Sequence, residues 1–108
     1  MFIALTLLFA CGNRIDEEVF LSEYSQEYCA NIFGCVSEED LPTIQEFYGS
    51  EEDCATSMEN EIKSNMEAAS LVYDPVAAKS CVDTLSEISC EAEPEEYDIC
   101  NLVYVEQN

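Results

Sequence analysis

The chain of 108 residues has no histidine, no tryptophan, three glycines, and three basic side chains against 24 acidic ones. Each scarcity closes off a class of function. Without histidine the chain lacks the side chain most used as a general base near neutral pH and the commonest neutral metal ligand. Arg14, Lys63 and Lys79 are its only cations, and the formal net charge is -21. No basic surface is therefore available to neutralise nucleic-acid phosphates, and nucleic acid is excluded as a partner. Gly12, Gly34 and Gly49 are scattered and form no phosphate-cradling loop. The apolar run at the start, Met1 to Ala10, is too short to cross a bilayer, which takes about 20 residues. What the chain does have is 48% hydrophobic residues, enough to build a core despite the charge. Its length is that of one domain.

The run MFIALTLLFA, residues 1–10, carries no charge and has the character of the apolar core of a secretory signal. A buried amino-terminal helix or strand is the alternative for such a stretch. The segment Leu8-Phe9-Ala10-Cys11-Gly12 resembles a bacterial lipobox, in which a leucine and a small residue precede a cysteine. In that family the thiol receives a diacylglycerol, the signal is cut just before it and the new amino terminus is acylated. The resemblance implies a cleaved signal peptide over 1–10, lipid attachment at Cys11 and a short tether over 11–14. Phe9 is bulkier than the usual residue at its position. The basic segment that normally opens such a signal is missing, which a start codon a few residues upstream would explain. Gly12, where an aspartate would retain the protein at the inner membrane, resembles lipoproteins released to the outer membrane of the bacterial cell envelope. Three or four extended residues reach about 10–14 Å, so the domain would sit against the membrane.

Seven cysteines are an odd number, and in an exported protein the odd one needs a use. Assigning Cys11 to lipid leaves Cys29, Cys35, Cys54, Cys81, Cys90 and Cys100, which can pair completely as three disulfides in an oxidising compartment. Zinc is the competing use, but the set has no C-x-x-C pair and no histidine, so no metal is expected. Six cysteines allow 15 pairings, and the sequence does not choose among them.

The remaining chain, residues 15–105, reads as helices. Leu21, Tyr24, Tyr28 and Ile32 fall on one helical face, with Asp16, Glu17 and Glu18 at the start and Gly34 as the stop. A short helix follows Pro42, with Leu41, Ile44 and Tyr48 on one side. Ser50 caps the next helix, on which Cys54, Met58, Ile62 and Met66 repeat every fourth residue, ending near Ser70 or Val72. Asp74-Pro75 opens another, with Ala78, Cys81, Val82, Leu85 and Ile88 as its buried stripe and an end near Cys90. Pro94 begins a shorter last segment holding Tyr97, Cys100, Val103 and Tyr104. The fold class is all-α: a small disulfide-stapled bundle of three to four helices after the cleaved signal. Short connections favour antiparallel neighbours, which brings Cys29, Cys35, Cys54 and Cys90 to one pole. At least one bridge should then join the first helix to a later one.

The segment Tyr73-Asp74-Pro75-Val76-Ala77-Ala78-Lys79-Ser80-Cys81, with Cys90 and Cys100 beyond it and the Cys29/Cys35 pair upstream, resembles a recurring pattern. It is that of small cysteine-rich lipoproteins of certain Gram-negative bacteria. The resemblance covers most of residues 29–100. It implies no activity and no catalytic residue.

No arrangement in the sequence points to catalysis. Serine nucleophiles lack a histidine and a G-x-S-x-G turn, and the acidic runs Glu38-Glu39-Asp40, Glu51-Glu52-Asp53 and Glu91 to Glu96 read as solvated surface. A calcium loop with alternating ligands and a central glycine is absent. The tyrosines fit a core better than a ligand pocket. The expectation is a non-enzymatic, cofactor-free, membrane-anchored module presenting an acidic surface to a basic protein partner or to divalent cations. The alternative is a carrier of a small apolar ligand such as a lipid, with Met58 and Met66 as an adaptable wall. An inhibitor or toxin-like effector is a weaker third reading, singled out by no feature.

Overall fold

A computed structural model describes residues 13–106. The expected signal over residues 1–10 and the lipid site at Cys11 lie outside the described residues. The molecule is built from α1 (Glu17–Cys35), α2 (Leu41–Tyr48), α3 (Glu51–Ala69), a two-residue strand β1 (Val72–Tyr73), α4 (Pro75–Glu87), a 3-10 helix (Pro94–Leu102) and a second short strand β2 (Tyr104–Val105). The all-α, disulfide-stapled class expected from the sequence is the one observed.

Local chemistry accounts for most boundaries. Asp16 precedes α1 in extended backbone, and Glu17 and Glu18 occupy the first turn, where the helix dipole favours negative charge. Ser50 caps α3 reciprocally with Asp53: the Ser50 hydroxyl accepts from the Asp53 amide at 3.0 Å, and the Asp53 carboxylate accepts from the Ser50 amide at 3.3 Å. Gly49 turns the chain into that cap at φ 85°, a conformation that favours glycine, and a Cβ there would meet the Asp53 carboxylate at 2.9 Å. The Asp74 carboxylate accepts from the amides of Val76 and Ala77 at 3.0 and 3.1 Å, and Pro75 supplies a first helical residue with no amide to satisfy.

Three expectations need correction. Gly34 does not stop α1, which runs through it to Cys35 and is capped by Val36 in extended backbone. A glycine inside a helix costs about 1 kcal/mol, and α1 bears it because Cys35 at its end is bridged to Cys90. The buried face of α1 is centred on Phe20, Leu21, Ser25 and Cys29, and Tyr28 of the expected stripe is 39% exposed. The rotation follows from α1 packing on both α3 and α4, so its inner face meets two neighbours. Finally, α4 ends at Glu87, ahead of Cys90, and the last segment is a 3-10 helix interrupted at Tyr97.

The core gathers Phe20 and Leu21 of α1, Ala78, Cys81 and Leu85 of α4, and Val103. β1 and β2 pair antiparallel, Val72 opposite Val105 and Tyr73 opposite Tyr104, which holds the end of the chain against the start of α4. Three bridges close the fold: Cys29–Cys54, Cys35–Cys90 and Cys81–Cys100. The first joins α1 to α3, as expected of at least one bridge. The first and second lie toward the carboxyl end of α1, the pole where the sequence placed those four cysteines. Among the described residues no helix is long and apolar enough to cross a membrane.

Candidate functional site

The six disulfide cysteines predicted from the sequence are brought together in pairs, and each pair contributes at least one cysteine to the concave surface of the molecule. Tyr24 and Tyr28, one helical turn apart on α1, stack with ring centroids 5.9 Å apart and planes 23° from parallel. They form a ridge with a hollow on each side. One hollow, of about 240 Å³, lies between the second half of α1 and the connection from α4 to the 3-10 helix, with Ile32, Ile88 and Tyr97 in its walls. Cys35, Cys90 and Cys100 also line it. The other hollow, of about 250 Å³, lies between α1 and α3, with Tyr48 of α2 and with Met58, Ile62 and Glu61 of α3. Both are open to solvent. Met58 thus takes part in a cavity wall, whereas Met66 is half-buried farther along α3 and lines neither hollow.

A third groove, about 640 Å³ and wider, runs beside Gln26 and the start of α3. Glu51, Glu52 and Glu59 line it together with Ala55 and Thr56.

Tyr24, Tyr28, Tyr48 and Tyr97 line the hollows. Tyr73 and Tyr104 pack with Phe20 at ring-centroid distances of 5.9 and 6.1 Å, and Tyr24 meets the same ring at 5.3 Å. The Tyr73 hydroxyl donates to the Ile15 carbonyl at 2.7 Å, and the Tyr104 hydroxyl donates to the Glu17 carboxylate at 2.9 Å. Burial is the main cause that pushes the Tyr73 phenol up to about 12, helped by the negative charges of Glu17, Asp16 and Asp74. Tyr104 is raised further, by burial first and then by its bond to the Glu17 carboxylate. Tyr24 is raised by burial and by the neighbouring phenols Tyr28 and Tyr97.

Periodicity missed two residues of consequence. Phe47 lies off the predicted stripe of α2 and stands 78% exposed, its ring edge-on to Tyr48 at 4.7 Å. An aromatic beside a helical stripe, not on it, was the available signal. Ser25 is fully buried, and its hydroxyl has no hydrogen-bond partner among the described residues. A serine nucleophile would need a base beside it, and none is bonded to this one.

Comparison with protein-family models, curated proteins and solved structures yields no match.

The electrostatics are one-sided. Among the described residues no carboxylate is buried, and the ion pair found is Lys79 with Asp83, at 2.7 Å along α4. Nor do three metal-ligating side chains come together among them. The arrangement offers apolar, aromatic-lined hollows set in a strongly negative, solvated surface.

Proposed function

We propose that this protein is a non-enzymatic, lipid-anchored module of the bacterial cell envelope, held at the outer membrane through Cys11, that binds a basic protein partner through its acidic surface. The observation that carries the reading is the unbalanced charge: 24 acidic against three basic side chains, with one ion pair among the described residues. Exposed charges of one sign steer an oppositely charged partner and speed its capture. The absence of a three-ligand cluster among the described residues favours a basic macromolecule over a specifically held divalent cation. A general acid needs a carboxylate taken out of water, and none of the described ones is.

The apolar-ligand alternative draws support from the two aromatic hollows. Each is smaller than the roughly 300–1,000 Å³ typical of a whole small-molecule site, and both are open. They suit side chains of a partner better than an enclosed lipid.

Intact-mass measurement of the native protein, with and without reduction, tests the anchor. The expected mass lacks residues 1–10, carries acyl chains and rises by six hydrogen atoms when the three bridges are reduced. Retention of the leader sequence would remove the membrane tether from the proposal. The partner side is tested by binding of a lysine–serine peptide: affinity that falls steeply with salt supports it, and no binding at low salt refutes it.

A further inference from the structure

We infer that the aromatic surface running from Phe47 and Tyr48 of α2, across Tyr28 and Tyr24 of α1, to Tyr97 of the 3-10 helix docks a basic amphipathic segment of another protein. The inference rests on the proposed function and names the place and chemistry of its partner.

Three features converge on this surface. It exposes large aromatic area, with Phe47 78% and Tyr28 39% exposed, and aromatic residues are enriched where protein interfaces form. Its two hollows, about 240 and 250 Å³, have room for one or two apolar side chains each. Their walls are covalently fixed: Cys35–Cys90 and Cys81–Cys100 border the first, and Cys29–Cys54 borders the second. A wall already in place loses little conformational freedom when a partner arrives.

Charge selects the occupant. Glu23, Glu27, Glu46 and Glu96 immediately precede Tyr24, Tyr28, Phe47 and Tyr97, so every anchor but Tyr48 has a carboxylate beside it in the chain. Glu61 lines the second hollow, and no basic residue lines either. A second copy of this chain would bring -21 against -21. An acyl chain would bring no charge to meet the carboxylates. A segment with apolar side chains for the hollows and lysines or arginines for the rim meets both. The place is also accessible: the first hollow runs along the second half of α1 from Tyr24 to Cys35, roughly 10–27 Å along the helix from its start at Glu17, the side on which the proposed tether enters.

The test uses the native oxidised protein in nanodiscs of neutral lipid, with empty nanodiscs as blank. The probes are a labelled leucine–lysine helix and a serine–lysine peptide of equal charge, followed by fluorescence anisotropy. The leucine–lysine peptide is expected to bind about tenfold or more tightly than its serine counterpart, the worth of one buried aliphatic side chain. Phe47→Ser and Tyr28→Ser should each weaken the leucine–lysine peptide by about tenfold and leave the serine–lysine peptide unchanged. Phe47 is too exposed for its loss to unfold the domain, so that variant should melt with the parent. Equal affinity for the two peptides, or no loss in either variant, overturns the docking surface and leaves the acidic-surface reading standing. Salt-independent displacement of the peptide by a fatty acid overturns it in favour of an apolar ligand. Failure of both peptides to bind at low salt removes both readings.

Discussion

Ser25 is a buried cost that the rest of α1 carries. Its hydroxyl is out of water and unpaired among the described residues, and a lone buried hydroxyl costs about 1–3 kcal/mol. Ser25→Ala removes the group, leaves little void and raises helix propensity. It should stabilise the domain by about 1 kcal/mol, read as a higher denaturant midpoint at unchanged slope. An unchanged or lower midpoint would show that the hydroxyl has a partner. The phenols of Tyr73 and Tyr104 titrate the fold from above. Tyr73 is raised from its ordinary value near 10 to about 12, so the folded state favours the neutral form. The stability this confers is complete below about pH 10 and is lost as pH rises through about 12. Tyr104 shifts in the same direction and adds to the loss. Helical circular dichroism should collapse in that window as the last phenolates appear in the ultraviolet, and a chain still helical above it would contradict the assignment.

At the level of elements, the three bridges differ in access. Cys29, Cys54 and Cys81 are buried, whereas Cys35 and Cys90 are both exposed. A thiolate must reach the sulfur it attacks, so mild reductant should open Cys35–Cys90 first. Alkylation and mass spectrometry at partial reduction should find label at those two positions, and early label at Cys29 or Cys54 would refute the order. This bridge also has the largest sequence separation, 55 residues, and contributes roughly 4 kcal/mol in the chain-entropy model. Caps and stripes made α2, α3 and α4 readable in the sequence because Pro42, Ser50, Asp74 and Pro75 act locally. Gly34 misled because a covalent bond to Cys90, distant in sequence, outweighed a local preference. The two-residue strands were invisible to any periodic pattern, which needs more residues than they have. Of the concave surface, the half-cystines and Met58 were legible. Tyr24 does pack on the core, against Phe20, as its spacing predicts, but spacing alone cannot say that the neighbouring helices leave a gap on each side of it and of Tyr28.

The molecule as a whole carries its charge nearly uncompensated. The expected removal of residues 1–10 leaves the -21 intact, because that stretch holds no charged side chain. Self-repulsion at this density disfavours the compact state, and the disulfides offset it by constraining the unfolded one. Screening should therefore stabilise the protein. Raising salt from a few millimolar to about 0.15 M shortens the reach of each charge to about 8 Å, and the melting midpoint should climb by several degrees. A midpoint that stays level or drops would mean that favourable pairings outweigh repulsion.

Ile15 is held twice, by its amide to the Pro75 carbonyl at 3.3 Å and by its carbonyl to the Tyr73 hydroxyl. A mechanical pull on an anchored chain would thus not peel α1 from its end. The load would pass sideways into the junction of β1 and α4, whose helix is riveted at Cys81 to Cys100. Shearing two bonds at once takes more force than unzipping them singly, so a domain so moored would hold its shape if the proposed tether came under tension.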